Sequence, residues 1–100
     1  MADIITPQTD YEAIARKAYE WLKMRRAKRE ISIIEVVMKV TGLRRKDFDD
    51  VEKTYEFFWQ SGEALLSLIE KENEYVADFS TYKDKYVGEF YGVPFVFRKK

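Results

Sequence analysis

The sequence predicts a mainly helical α+β domain, with three or four helices in a helix-turn-helix-like arrangement followed by a C-terminal β-hairpin. Three observations lead to this prediction. Before Val76, apolar residues recur at steps of three and four, which is the spacing of one helix face. Gly42 separates two such helical stretches, as a glycine does in the turn between paired helices. After Val76 the sequence changes to aromatic and β-branched runs that Gly92 divides, which is typical of a hairpin.

Length and composition predict one globular domain. The chain has 100 residues, of which 46% are hydrophobic and 16% aromatic, so it is too apolar for a disordered chain and too short for two cores. We expect residues 1–8 to form a flexible lead-in, because Pro7 disfavours regular structure there, and residues 9–100 to form the domain. Eighteen basic and eighteen acidic residues cancel, so attraction to a charged partner has to come from local clusters.

The first predicted helix begins after Thr9 or Asp10, either of which can cap it. Its apolar face consists of Tyr11, Ile14, Ala15, Ala18 and Leu22. Its end carries a cluster of cations: Lys23, Arg25, Arg26, Lys28 and Arg29. Such a cluster stabilises the carboxyl end of a helix or binds phosphate, and the sequence leaves both interpretations open.

The second predicted helix runs from a cap at Ser32 to about Thr41, where Gly42 ends it. Glu35 stands three residues after Ser32, which is the spacing of a capping box. The segment is rich in β-branched residues, so a strand over residues 33–40 is the alternative.

The third predicted helix begins at Arg44 and has the most regular apolar pattern of the chain. Because Gly62 lies inside it, residues 44–76 form either one helix or two. A wide apolar stripe favours a core helix over a coiled-coil seam. The predicted helical core is Ile14, Leu22, Val37, Leu43, Phe48, Val51, Tyr55, Phe58, Leu65 and Ile69.

The predicted hairpin pairs residues 82–91 with residues 93–98 across Gly92. Pro94 confines its strand to a sheet edge, because proline donates no backbone hydrogen bond. Phe95 and Phe97 alternate with Val96, which is the pattern of a strand with one buried face.

The composition argues against catalysis. The chain contains no cysteine and no histidine, so it lacks thiolate nucleophiles, the commonest general base and the usual zinc ligands. Asp47, Asp49, Asp50 and Glu52 are clustered, but on a helix the first three point in different directions and cannot converge on one ion without partners from elsewhere. We therefore expect no enzymatic activity, no metal, no cofactor and no small-molecule substrate. Without a signal sequence or an apolar stretch of about 20 residues, we expect a soluble, cytoplasmic protein.

The basic clusters suggest double-stranded DNA as a partner. Arg44, Arg45 and Lys46 open the third predicted helix, where they can face phosphates or base edges. The order of elements over residues 11–98 resembles that of winged-helix DNA-binding proteins, which implies a hairpin wing that adds further cations. The predicted nucleic-acid-binding residues are Arg25, Arg26, Arg44, Arg45, Lys46, Arg98 and Lys99. On this interpretation the protein is a small regulatory or accessory protein.

The alternative is a protein interaction module, such as an inhibitor or an assembly adaptor, that acts through an aromatic-rich surface. Tyrosine and tryptophan dominate the energetics of many interfaces. The aromatic residues beyond the needs of one small core are Trp21, Phe57, Trp59, Tyr75, Tyr86 and Tyr91. The stripe on the third helix is broader than the short second helix can cover, so we expect a homodimer with Trp59, Leu66 and Leu68 near its two-fold axis.

Overall fold

Three helices and a two-stranded antiparallel sheet form the part of the chain that the computed structural model describes, namely residues 9–26, 29–48, 50–79 and 90–100. The helices are α1 (Tyr11–Met24), α2 (Ile33–Thr41) and α3 (Val51–Glu72). The strands are β1 (Tyr75–Asp78) and β2 (Val96–Lys99), and short 3-10 turns occupy Arg45–Asp47 and Phe90–Gly92. The predicted mainly helical α+β fold class is confirmed. The predicted lead-in at residues 1–8 lies outside the described residues.

Helix α1 begins where the sequence predicts. The Asp10 Oδ1 atom accepts a hydrogen bond from the Ala13 amide at 3.0 Å, which caps the helix. The predicted apolar positions Ala15, Ala18 and Leu22 are buried. Tyr19 is also buried, so the face of α1 that enters the core is wider than predicted.

Helix α2 is a helix and not the alternative strand. Its cap is Ser32, whose Oγ accepts a hydrogen bond from the Glu35 amide at 3.3 Å. Gly42 ends it in the left-handed conformation, with φ of 74°, and donates its amide hydrogen to Met38 O at 3.0 Å. The two end signals therefore outweigh the low helix propensity of the β-branched residues between them.

Helix α3 is one continuous helix that begins at Val51 and not at Arg44. Asp50 caps it, since its Oδ1 accepts a hydrogen bond from the Lys53 amide at 3.1 Å. The predictions that Val51 and Tyr55 lie in the core are wrong, because Val51 is 83% and Tyr55 41% exposed. The buried face instead consists of Phe57, Phe58, Ser61, Gly62, Leu65 and Ile69. No helix of the described ranges is long and apolar enough to cross a membrane.

The sheet joins the residues just after α3 to the last strand. Asn73 ends α3 in the left-handed conformation and β1 begins at Tyr75, which pairs with Lys99 of β2. The prediction of a first strand over residues 82–91 is wrong at its carboxyl end, because Phe90–Gly92 form a 3-10 turn. Residues 82–89 lie outside the described residues.

One core lies between the helices and the sheet. Helix α1 packs mainly against α3, while α2 packs against both of them. Ile31, just before the α2 cap, forms an isolated antiparallel bridge with Phe95, with N···O distances of 3.0 and 2.9 Å. Phe95 is fully buried and Ile31 nearly so. The bridge therefore ties the α1–α2 connection to the carboxyl-terminal part of the chain.

Candidate functional site

The best candidate for a binding site is a groove of about 470 Å³ between the end of α1 and the outer face of α2, here called the α1–α2 groove. Its volume lies in the range of about 300–1,000 Å³ that is usual for ligand pockets. Its lining combines large apolar side chains with charged ones: Trp21, Arg25, Arg29, Ile31, Glu35, Met38, Lys39 and Leu43.

The spacing of these residues follows from the two helices. Trp21 lies in the last turns of α1, and Arg25 follows four residues later as its C-cap. Glu35, Met38 and Lys39 lie three and four residues apart, so they share the outer face of α2. The carboxyl end of α1 and the outer face of α2 thus set the position of the groove.

The two ends of the groove are held by backbone structure. At one end, the bridge to Phe95 fixes Ile31. At the other, Leu43 follows the left-handed Gly42 directly, and its amide donates to Thr41 Oγ1 at 3.4 Å. The groove is therefore a preformed feature of the fold.

Arg25 is held in place by two contacts. Its guanidinium carbon lies 5.8 Å from the centre of the Trp21 ring, within the range of a cation–π interaction. One Nη atom donates a hydrogen bond to Arg29 O at 3.2 Å. Because a guanidinium has five N–H donors, this bond leaves Arg25 with donor capacity towards the groove.

The rim of the groove carries more positive than negative charge. Arg25, Arg29 and Lys39 contribute cations, and Glu35 is the acidic residue among the lining side chains. Arg29, Glu35 and Lys39 are exposed to solvent. In a chain with a formal net charge of +0, this is a local excess of positive charge.

The residues predicted to bind nucleic acid do not form the expected surface. Arg44, Arg45 and Lys46 do not open α3 but lie in the connection between α2 and α3, where Arg45–Asp47 form the short 3-10 turn. The Arg44 amide donates to Asp47 Oδ2 at 2.8 Å, and the Asp47 amide donates to Arg44 O at 2.9 Å. These bonds close a tight turn that competes with helix formation. The side chain of Arg45 lies outside the described part of the structure.

The other predicted cations are divided between the two ends of the chain. Arg25 lines the α1–α2 groove and Arg26, the next residue, is exposed. Arg98 lies on β2, where its Nε atom is 3.4 Å from Asp78 Oδ2. Lys99 is exposed beside it. The ion pair offsets the charge of Arg98, so the strand adds less to a basic surface than the sequence indicated.

The three residues predicted for a dimer interface lie on two sides of α3. Leu66 is seven residues after Trp59, which places it about 20° away around the helix axis, whereas Leu68 is about 180° from Trp59. Leu68 lines a second groove of about 440 Å³ between α1 and α3, the α1–α3 groove, together with Glu12, Ala15, Arg16, Ala64, Ser67 and Lys71. These three residues therefore do not form one surface.

Most of the aromatic residues that suggested an interface pack within the domain. Phe57 is buried, and Tyr75 stacks on Phe97 with ring centres 4.7 Å apart. Tyr91 lies against Phe58 at 6.1 Å, and Trp59 stacks on Tyr55 at 6.2 Å. Tyr86 lies outside the described residues. Among these aromatic residues, Trp21 is the one that lines the α1–α2 groove.

Two buried hydroxyl groups have no hydrogen-bond partner in the described part of the chain, those of Tyr19 and Ser61. Burial is the main cause that raises the pKa of Tyr19 above its ordinary value. The same cause raises the pKa of Tyr11, with a smaller contribution from Glu56. Both tyrosines lie outside the α1–α2 groove and belong to the packing of α1.

The carboxylates that the sequence places close together have local structural roles. Asp47 closes the turn after α2, and Asp50 caps α3. Asp49 lies outside the described residues. In the described ranges, no group of three or more acidic, cysteine or histidine side chains is arranged to hold a metal ion.

Sequence reasoning missed most of the α1–α2 groove. Arg25 was predicted as a binding residue, but Ile31, Glu35, Met38 and Lys39 were not. One available signal was the four-residue spacing of Trp21 and Arg25, which suits a cation–π pair. No family model matches the sequence, and no match was found among curated proteins or solved structures.

Proposed function

We propose that this chain is a small, non-catalytic binding module that binds another protein through the α1–α2 groove. The observation that supports this proposal is the composition of the groove, in which an apolar floor of Trp21, Met38 and Leu43 lies beneath a charged rim. Such a combination is typical of sites that take an anchoring side chain and fix its orientation with polar groups. A regulatory or accessory role, for example as an inhibitor or adaptor, fits a module of this kind.

Protein fits this groove better than duplex DNA. A protein that reads DNA inserts a protruding helix or strand into the DNA groove, and its contacts are mostly with phosphate. The α1–α2 groove is concave, and large apolar side chains form much of its lining. In addition, Arg44–Lys46 do not form the amino-terminal turn of a recognition helix.

One observation supports DNA as a second candidate. Arg25 and Leu43 line the same groove, so the end of α1 and the segment that starts at Arg44 lie at the same end of the molecule. One of the two cation clusters thus contributes to the lining of the groove, and the other follows a lining residue directly in the sequence. Their combined field would favour a polyanion.

The proposal is tested with peptides selected from a displayed random library on the purified protein. We expect Met38→Gln to weaken binding of the selected peptides about tenfold or more, because it places a polar amide in the apolar floor. The matched control is Leu68→Gln, a polar substitution at a half-buried residue of the α1–α3 groove, which should leave affinity nearly unchanged.

Equal effects of the two substitutions, or the absence of any peptide that depends on Met38, would overturn the proposal. A gel shift of duplex DNA at low salt that is lost when Arg44, Arg45 and Lys46 are replaced by alanine would favour the DNA candidate instead. The homodimer stays a prediction. Light scattering that gives the monomer mass of 12.0 kDa at micromolar concentration would contradict it.

A further inference from the structure

We infer that the α1–α2 groove binds an acidic segment of its partner, one that inserts a bulky apolar side chain between the cations of the rim. This inference rests on the proposed function and names the chemistry of the partner. It follows from the charge around the groove, the way in which Arg25 is held, and the shape of the apolar floor.

Charge is distributed unevenly over the described residues. The α1–α2 groove has three cations and one carboxylate in its lining, and of the described charged residues next to these in the sequence, Arg26, Arg44, Lys46 and the acidic Glu30 are exposed, which leaves the excess positive. Helix α3 carries the opposite excess, with Glu52, Glu56, Glu63, Glu70 and Glu72 against Lys53 and Lys71. An acidic segment is therefore attracted to the α1–α2 side of the molecule and repelled by α3.

Arg25 is prepared to receive a carboxylate. Its cation–π contact with Trp21 and its bond to Arg29 O hold the guanidinium in place before a partner arrives. Less side-chain entropy is then lost on binding. Arginine forms strong, directional hydrogen bonds to carboxylates, since its planar group matches their geometry. Arg29 and Lys39, which are exposed, can adjust to further acidic residues.

The apolar floor requires an anchor on the same segment. Trp21, Met38 and Leu43 are each half-buried, so the fold leaves part of their apolar surface in contact with water. An inserted leucine or phenylalanine would cover it, and the flexible side chain of Met38 can adapt to either shape. A nucleic acid backbone offers phosphates but no aliphatic anchor, which is why a peptide is the better match.

The test uses three short synthetic peptides that share their leucine and phenylalanine residues and carry glutamate, glutamine or lysine at the remaining positions. Trp21 and Trp59 are the two tryptophans of the chain, so Trp59→Phe leaves Trp21 as the fluorescent reporter in the groove. We expect the glutamate peptide to bind about tenfold or more tightly than the glutamine peptide, and the lysine peptide to bind most weakly. The preference should shrink as the salt concentration rises, because salt screens the charges of the rim.

A variant with reversed charges tests whether the groove causes the preference for the glutamate peptide. In Arg29→Glu/Lys39→Glu, both substitutions are at exposed residues, and we expect the lysine peptide to become the tightest ligand. The control Lys17→Glu/Lys71→Glu makes the same change in net charge at exposed residues outside the groove and should keep the original order.

Three results would overturn the inference: glutamine and glutamate peptides of equal affinity, no binding of any of the three, or the same reversal of order in the control variant. Failure of the inference can be separated from failure of the proposed function. Selected peptides that depend on Met38 but are neutral or basic would leave the proposed function intact and remove the acidic partner.

Discussion

The α1–α2 groove and the α1–α3 groove have nearly equal volumes, about 470 and 440 Å³, but their linings differ in size and charge. Three small residues, Ala15, Ala64 and Ser67, line the α1–α3 groove. Its charges are also paired in part, since Arg16 forms an ion pair with Glu72 at 3.1 Å beside it. The α1–α2 groove has large apolar side chains and a positive rim instead.

The difference shows that a groove between helices arises in two ways. Along α3, small residues allow the helices to approach closely, and the groove is what remains at the edge of a tight contact. Between α1 and α2, large side chains at the two helix ends surround a volume that the protein does not fill. We therefore expect substitutions along the α1–α3 contact to change mainly stability, and those in the α1–α2 groove to change mainly binding.

The largest expected effect on the free energy of unfolding distinguishes the core beneath α3 from the α1–α2 groove. Leu65 is fully buried, so Leu65→Ala should lower the free energy of unfolding by about 2–5 kcal/mol. Met38 is half-buried, and we expect Met38→Ala to lower it by about 1 kcal/mol, because less apolar surface is returned to water. Urea denaturation followed by circular dichroism measures both. Equal losses would mean that Met38 belongs to the core.

A smaller effect tests the closeness of the α1–α3 contact. Ala18 is fully buried, so Ala18→Leu should destabilise the protein by about 1–3 kcal/mol through overpacking. Ala64 is half-buried beside the α1–α3 groove, where a larger side chain has room, and Ala64→Leu should change stability by no more than about 0.5 kcal/mol. Thermal unfolding of the two variants compares them directly. A large loss with Ala64→Leu would show that this groove is closed in solution.

The smallest effect concerns the edge of the α1–α2 groove. Gly42 has φ of 74°, so Gly42→Ala should cost about 1 kcal/mol even though an added Cβ would meet no atom within 4 Å. At Gly92 the added Cβ would lie 3.9 Å from Ile34 Cδ1, which is an ordinary contact. Gly92→Ala should therefore have a smaller effect. If both substitutions are equally mild in chemical denaturation, backbone conformation does not fix the position of Leu43.

Local signals allowed the start of α1 and both ends of α2 to be predicted. Asp10, Ser32 and Gly42 each act on the backbone within a few residues, so their effect can be read from the sequence. The start of α3 could not be predicted in this way, because the apolar pattern extends back to Phe48. Asp47 and Asp50 decide it by forming a turn and a cap, and the sequence alone does not distinguish these roles from that of exposed charges on a helix.

Features that depend on distant parts of the chain were beyond such reasoning. Tyr75–Asp78 pairs with Val96–Lys99, which follows it in the sequence only after a long intervening segment. Residues 82–91 are closer to Val96–Lys99 in the sequence and have the stronger strand pattern. The α1–α2 groove is equally hard to predict, because its lining residues are spread over residues 21–43, in α1, α2 and the connections that follow them. A sequence shows which faces are apolar, but the packing of the helices decides which of them stays open.

The bridge between Ile31 and Phe95 affects when the groove is complete during folding. The helical contacts of α1 and α2 are local, so they can form early, whereas a contact over this sequence separation requires closure of a long loop. On a ribosome, Phe95 also emerges long after Ile31. We therefore expect Ile31 to be anchored beside the groove late in folding, after the local contacts of α1 and α2 have formed.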